Sequence, residues 1–212
     1  MIIINVSYMK SHAFLLAMLL SLVSFSLVSC MEDEDKDKNE YYKEDFHNSN
    51  LPEYSENGLN LFGSEYKVNG ELFYFRSFPD TAPCRVEIAD SLLKFYMIGA
   101  QNNDLFSLCF EIIPEVPVSS FADLIKLEGK EFDVTSDSCK LKVLRDEEYV
   151  DVDSWYGYVR FVNAKNLYVD NQLFGTILSG RFGMYYGIDD DSIDISSGRF
   201  DFLIDDTNFI KK

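Results

Sequence analysis

The stretch SEYKVNGELFYF, residues 64–75, constrains the fold more than any other part of this 212-residue chain. Asn69-Gly70 is a two-residue type I′ turn signal, because both central positions need φ > 0 and these two residues tolerate it. Such a turn sets Val68 opposite Glu71, Tyr66 opposite Phe73 and Ser64 opposite Phe75. Tyr66, Val68, Phe73 and Phe75 then share one face, so turn chemistry and apolar pattern agree on one register. The sequence predicts a hairpin with one side built for a core.

The same period of two continues to the C-terminus. CRVEIA and LLKFYMIGA flank Asp90-Ser91 as a second hairpin, and DLFSLCFEII turns Phe106, Leu108, Phe110 and Ile112 inward. EFDV, CKLKVLR, WYGYVRFVNA and QLFGTILSGRFGMYYG read as further strands, with Asn166 and Gly187 near turns. SIDISSGRFDFLI reads as a closing hairpin about Ser197-Gly198. SSFADLIKL is the one helical candidate, capped by Ser119 or Ser120, with Phe121, Leu124 and Ile125 on one side. About ten strands and one short helix predict an all-β fold, an antiparallel β-sandwich or a flattened barrel. The strings SGRFGMYY (179–186) and SGRFDFLI (197–204) are expected as neighbouring strands of one ladder.

The N-terminal part follows other rules. Residues 13–28 are apolar and uncharged, preceded by Lys10, and are shorter than the roughly 20 residues a membrane span needs. A basic residue, a short apolar core and a small residue before a cut describe a signal peptide over residues 1–29. MIIINVSY ahead of Met9 is apolar where positive charge is expected, so a start at Met9 fits the pattern better. Leu27-Val28-Ser29-Cys30 resembles the lipobox of bacterial lipoproteins, which implies cleavage after Ser29 and acylation (palmitate among the chains) of Cys30. Two or more acyl chains anchor stably, where one binds only marginally. Residues 30–60 carry ten acidic and three basic side chains and no sustained period, and are expected as an acidic, disordered tether ahead of a domain over residues 61–212. Glu32-Asp33-Glu34-Asp35 after the Cys resembles the surface-export signal of Bacteroidales-type lipoproteins. That implies an outer-membrane protein facing the cell exterior, with a periplasm-facing one as the alternative.

The VNG hairpin after a tether, LSGRF, and ISSGRFDF near the C-terminus together resemble the small surface lipoproteins of Bacteroidales. The likeness covers most of residues 61–204. Its motifs imply fold and address, and no catalytic residue.

The chemistry the chain offers is narrow. A net charge of −17 argues against a phosphate-backbone partner, which needs clustered Lys and Arg. The one mature histidine, His47, sits in the tether, so a Ser-His or Cys-His system lacks its base in the domain. No CxxC or HxxxH spacing for zinc exists. Asp146, Glu147, Glu148, Asp151 and Asp153 form one acidic string, and Asp189, Asp190, Asp191 and Asp194 another. Neither has the spacing or central Gly of a calcium loop, so no metal or cofactor is expected. Alternation turns Cys84 and Cys139 inward and puts Cys109 with Ser107 and Glu111. A Cys84–Cys139 bridge is compatible with this, and three buried thiols acting as small hydrophobes are preferred.

Trp155, Val159 and Phe161 are expected in the core, with Tyr156 and Tyr158 on the other sheet face. Tyr156, Tyr158 and Tyr185 are thus the candidate ligand contacts, since outward tyrosines can stack on sugar rings. The leading expectation is a non-enzymatic, surface-tethered domain binding a glycan or a protein. A lipocalin-like carrier of an apolar ligand is the alternative. A carboxylate hydrolase, which needs two facing acids, stands behind both.

Overall fold

A computed structural model describes residues 51–76, 83–101 and 104–212; the signal region, Cys30, the acidic cluster at residues 32–35 and His47 lie outside them. The first hairpin forms as its residues dictate. Strands β1 (Leu61–Val68) and β2 (Glu71–Arg76) pair through Val68↔Glu71, Tyr66↔Phe73 and Ser64↔Phe75. Asn69 and Gly70 take φ of 49° and 87°. β3 (Cys84–Ala89) and β4 (Leu92–Gln101) meet at Asp90-Ser91, again both at positive φ. β5 (Asp104–Ile112) buries Phe106, Leu108, Phe110 and Ile112.

Five further strands follow: β6 (Glu131–Asp133), β7 (Cys139–Arg145), β8 (Glu148–Asp151), β9 (Asp153–Val169) and β10 (Gln172–Ile188). β11 (Asp191–Ile204) and the short β12 (Phe209–Lys211) end the chain. The hydrogen-bonded order is β6-β9-β10-β11-β1-β2-β4-β5-β7-β8, with β3 on β4 and β12 parallel to β3. One bridged pair, Arg76↔Ala100, links β2 to β4. About that corner the ladder divides into two six-stranded sheets packed as a sandwich, and they do not close into a barrel.

Phenylalanines fill the space between the sheets. Phe95 of β4 meets Phe161, Phe200 and Phe202 at ring-centroid distances of 5.4, 5.2 and 5.9 Å. Phe110 of β5 reaches Phe182 at 6.4 Å. Edge-on pairs of this kind add about 0.5–1.5 kcal/mol each beyond the burial of their area. The two SGRF strings are neighbours, as expected, and their antiparallel pairing superposes one on the reverse of the other. Gly180 faces Phe200, Arg181 faces Arg199 and Phe182 faces Gly198. Each Gly accommodates the Phe opposite: a Cβ on Gly180 would lie 2.4 Å from the Phe200 ring, and one on Gly198 2.7 Å from the Phe182 ring.

Several expectations change. No hairpin forms at Ser197-Gly198. Ser197 has φ of 55°, but the register slips between Phe182 and Met184 on β10, so this is a bulge within one continuous strand. Asn166 lies inside β9 and Gly187 inside β10; the turns fall at Asp170-Asn171 and next to Asp189. The acidic string around Glu148 contains a strand, β8, rather than a loop alone. The helix is a 3₁₀ helix, Phe121–Leu127, that buries Leu124 and Leu127 and leaves Ile125 exposed. Ser120 makes no side-chain cap; instead Ser119 and Ser120 donate their hydroxyls to Asp123 Oδ2 at 2.7 and 3.1 Å.

The ordered unit also begins before Leu61. Leu51 is buried, and residues 51–60 cross the outer face of β10 and β11 as a strap. Its polar composition serves Asp201, which is 2% exposed. The backbone N–H groups of Asn57, Gly58 and Leu59 donate to the Asp201 carboxylate at 3.3, 2.8 and 3.0 Å. Ser179 Oγ donates at 2.7 Å. A buried carboxylate is tolerated where such donors replace its water.

Candidate functional site

The cross-strand register of the first sheet defines what its outer face offers. One row runs Tyr156, Tyr185, Asp194, Lys67 and Leu72 over β9, β10, β11, β1 and β2. Tyr156 and Tyr185 face each other directly, and both are half-buried. Two of the three candidate tyrosines are therefore brought together. Tyr158 is on the same face but only 6% exposed. Its ring packs over Gly183, 3.3 Å from where a Cβ would sit, and burial pushes its phenol up to about 12. That ring is a floor for the surface rather than a contact for a ligand.

The expectation for Trp155 is reversed. It is 55% exposed, because alternation breaks beside it. Tyr185 pairs with Tyr156 while Tyr186 pairs with Ser154, so Trp155 is the extra residue of a bulge and leaves the inward series of Val159 and Phe161. Its ring turns onto the outer face. It lies over Gly187, where a Cβ would be 2.9 Å from the indole, and leans on Tyr185 at 4.8 Å with 52° between planes. The chain's single Trp is thus held in place with much of its surface in water.

Beside these rings is a polar pair. Asp194 stands opposite Tyr185 on one side and Lys67 on the other. Its Oδ1 is buried and makes no hydrogen bond within the described structure. Burial raises its pKa above the ordinary carboxylate value, Lys67 pulls it back and Glu65 adds to the rise. A buried acceptor without a donor costs stability, and natural proteins carry few of them. Rings that stack, an acceptor and an ammonium can bind a hydroxylated ring compound by its apolar face and its edge.

Other candidates go elsewhere. Asp189 pairs with Arg145 at 2.9 Å, and Asp151 lies 3.4 Å from Lys142. Among the described residues no group of three or more His, Cys, Asp or Glu side chains is placed to hold a metal. Cys84, Cys109 and Cys139 are free and buried; burial pushes the Cys109 and Cys139 thiols up to about 12, far from a reactive thiolate. A shallow open depression beside Tyr54 is lined by the strap's own Glu53, Glu56 and Asn57.

Fold and face together define an all-β sandwich with an aromatic outer surface on one sheet. No family model matches the chain, and no curated protein or solved structure matches it either.

Proposed function

We propose that this chain is a non-catalytic, surface-tethered lipoprotein whose β-sandwich binds glycans on the outer face of the first sheet. Acyl chains on Cys30 hold it to the outer membrane, and the acidic segment after Cys30 favours display toward the exterior. The observation that carries the binding reading is Trp155, 55% exposed yet braced on Tyr185 at 4.8 Å. A fixed aromatic plane loses little entropy when a sugar ring stacks on it. Tyr156 extends the plane, and Asp194 and Lys67 supply an acceptor and a donor for hydroxyls.

A glycan is favoured over a protein partner because the apolar surface beside Asp194 and Lys67 is small, the exposed Trp155 with the half-buried Tyr156 and Tyr185 and Leu72 at the end of the row. A protein interface needs a broader patch, about 800 Å² on each side. The carrier alternative finds less support, since phenylalanine rings occupy the space between two sheets that do not close.

The test is a glycan-array screen of the full-length protein in detergent, repeated with Trp155→Ala. Saturable binding to one glycan class that the variant loses supports the reading. Binding that survives the substitution, or hydrolysis of the bound glycan, contradicts it. The anchor is tested separately: Cys30→Ala should abolish labelling by a fatty-acid analogue and release the protein from the membrane fraction.

A further inference from the structure

The chain has six arginines, and four of them fall in one cross-strand row of this same face. The register runs Arg160↔Arg181, Arg181↔Arg199, Arg199↔Gly63 and Gly63↔Arg76, over β9, β10, β11, β1 and β2. Like charges directly opposite on neighbouring strands repel, so alternation alone does not favour three arginines side by side. In a chain of net charge −17 the concentration is the more pointed.

The four differ in what they can reach, and Arg76 is exposed at the far end of the row. Arg199 is 7% exposed, and its Nη1 donates to the strap at Pro52 O, 3.1 Å away; it secures the strap. Arg181 is half-buried, with the Tyr54 ring 5.0 Å from its guanidinium carbon. Arg160 is exposed. Glu131 on β6 stands opposite Arg160 and closes the row on that edge.

The row runs beside the rings. Along β9, Arg160 follows Tyr158 by two residues and Tyr156 by four, which at about 3.3 Å per residue is roughly 13 Å. That is the reach of an oligosaccharide and not of a single sugar. Guanidinium groups bind carboxylate and sulfate oxygens with paired, charge-assisted hydrogen bonds. At physiological salt, fields are screened within about 8 Å, so the row acts locally while the acidic remainder is damped.

Resting on the glycan reading above, we infer that the ligand is an acidic glycan, with sugar rings on Trp155 and Tyr185 and a carboxylate or sulfate at Arg160 and Arg181. The row adds what the aromatic platform lacks, a means to select charged polysaccharide over neutral.

The experiment titrates the full-length protein in detergent with two matched pairs of probes: polygalacturonate against its methyl ester, and dextran sulfate against dextran. Trp155 fluorescence reports binding to the proteins that keep the chain's single Trp, and titration calorimetry reports it for all variants, Trp155→Ala included. The charged member of at least one pair should bind tenfold or more tightly than its neutral partner, with affinity falling as salt rises. Arg160→Gln should remove most of that preference, and Arg160→Lys should keep part of it. Equal affinity for charged and neutral probes, or an Arg160→Gln protein that still discriminates, overturns the inference and leaves the glycan platform intact. Charge-selective binding that Trp155→Ala leaves unchanged shows instead an anion site without a sugar platform. If no probe binds, the acidic-glycan inference falls, and the glycan-array screen decides the aromatic platform separately.

Discussion

The two outer faces of this sandwich solve the same problem in opposite ways. The second sheet, β3, β4, β5, β7, β8 and β12, pairs most of its charged groups with each other, although the buried Arg85 Nε makes no hydrogen bond within the described structure. Glu87 accepts from Lys212 at 2.6 Å and lies 3.2 Å from Arg85. Glu111 accepts from Lys94 at 2.6 Å and lies 3.8 Å from Lys142, which continues to Asp151. Between these charges Tyr96 sits edge-on to Tyr149 at 5.1 Å under the Arg85 guanidinium, and Ser107 shares a hydrogen bond with Tyr149. The first sheet instead carries an exposed Trp, facing tyrosines and a carboxylate oxygen without a donor. One face pairs most of its charged side chains with each other and the other leaves an aromatic ring in water beside an orphan acceptor, the contrast on which the proposed binding role rests.

Four substitutions press on that difference. The largest effect belongs to the part of the first sheet that the strap closes. Asp201→Ala strands three backbone N–H donors and should cost about 3 kcal/mol in urea denaturation, and it should expose residues 51–60 to protease. A stability change within experimental error would mean that the strap is not held by this carboxylate. Next is Trp155→Ala, expected to weaken glycan binding by about 2 kcal/mol, roughly thirtyfold in Kd, with little effect on the denaturation midpoint.

On the second sheet the pattern should invert. Glu87→Gln should cost about 1 kcal/mol of stability and leave binding untouched. Burial pushes the Glu87 carboxyl up, but Lys212, Arg85 and Tyr96 together draw it below the ordinary value of 4.5. Its stabilisation is therefore present above that value and lost as pH falls below it, so the variant's stability should depend less on pH in the acid range.

The smallest change is the most discriminating. Burial holds Asp194 above the ordinary value of 3.8, so its contribution is largest below that pH and is lost as pH rises through the folded value. At neutral pH Asp194→Asn should leave the midpoint equal or higher while weakening glycan binding about fivefold. A variant that is less stable and binds normally would make Asp194 a structural residue, and the two faces would no longer differ.

Much of this architecture is legible in the sequence where two local signals agree. Asn69-Gly70 fixed a register that the alternation of Tyr66, Val68 and Phe73 demanded independently, and repetition of SGRF marked two paired strands. The misses come from single signals that longer-range pairing overrides. Ser197-Gly198 looks like a turn, and Ser197 does take positive φ. Continuous pairing of β11 with both β10 and β1 makes that conformation a bulge instead. The exposure of Trp155 is hard to read because one extra residue against Tyr185 and Tyr186 inverts the alternation, and Gly157, two residues on, is the one local sign of a bulge and does not say which side chain it turns out. The strap was hidden by its composition. Polar residues that would suit solvent are fixed by Asp201, which lies 143 positions from Gly58. Tyr156 and Tyr185 were found because outward tyrosines follow the period; Asp194 was grouped with its acidic neighbours because sequence does not show which acid lacks a donor.

The exposed position of Trp155 is the point on which the binding face depends, and the chain's single Trp allows it to be read without a ligand. The measurement is the emission and acrylamide quenching of the folded protein, followed through urea unfolding. Water-exposed emission and efficient quenching are expected in the folded state, with little further red shift on unfolding. Blue-shifted, protected emission that moves to the red as the protein unfolds would put Trp155 in the core and contradict the account.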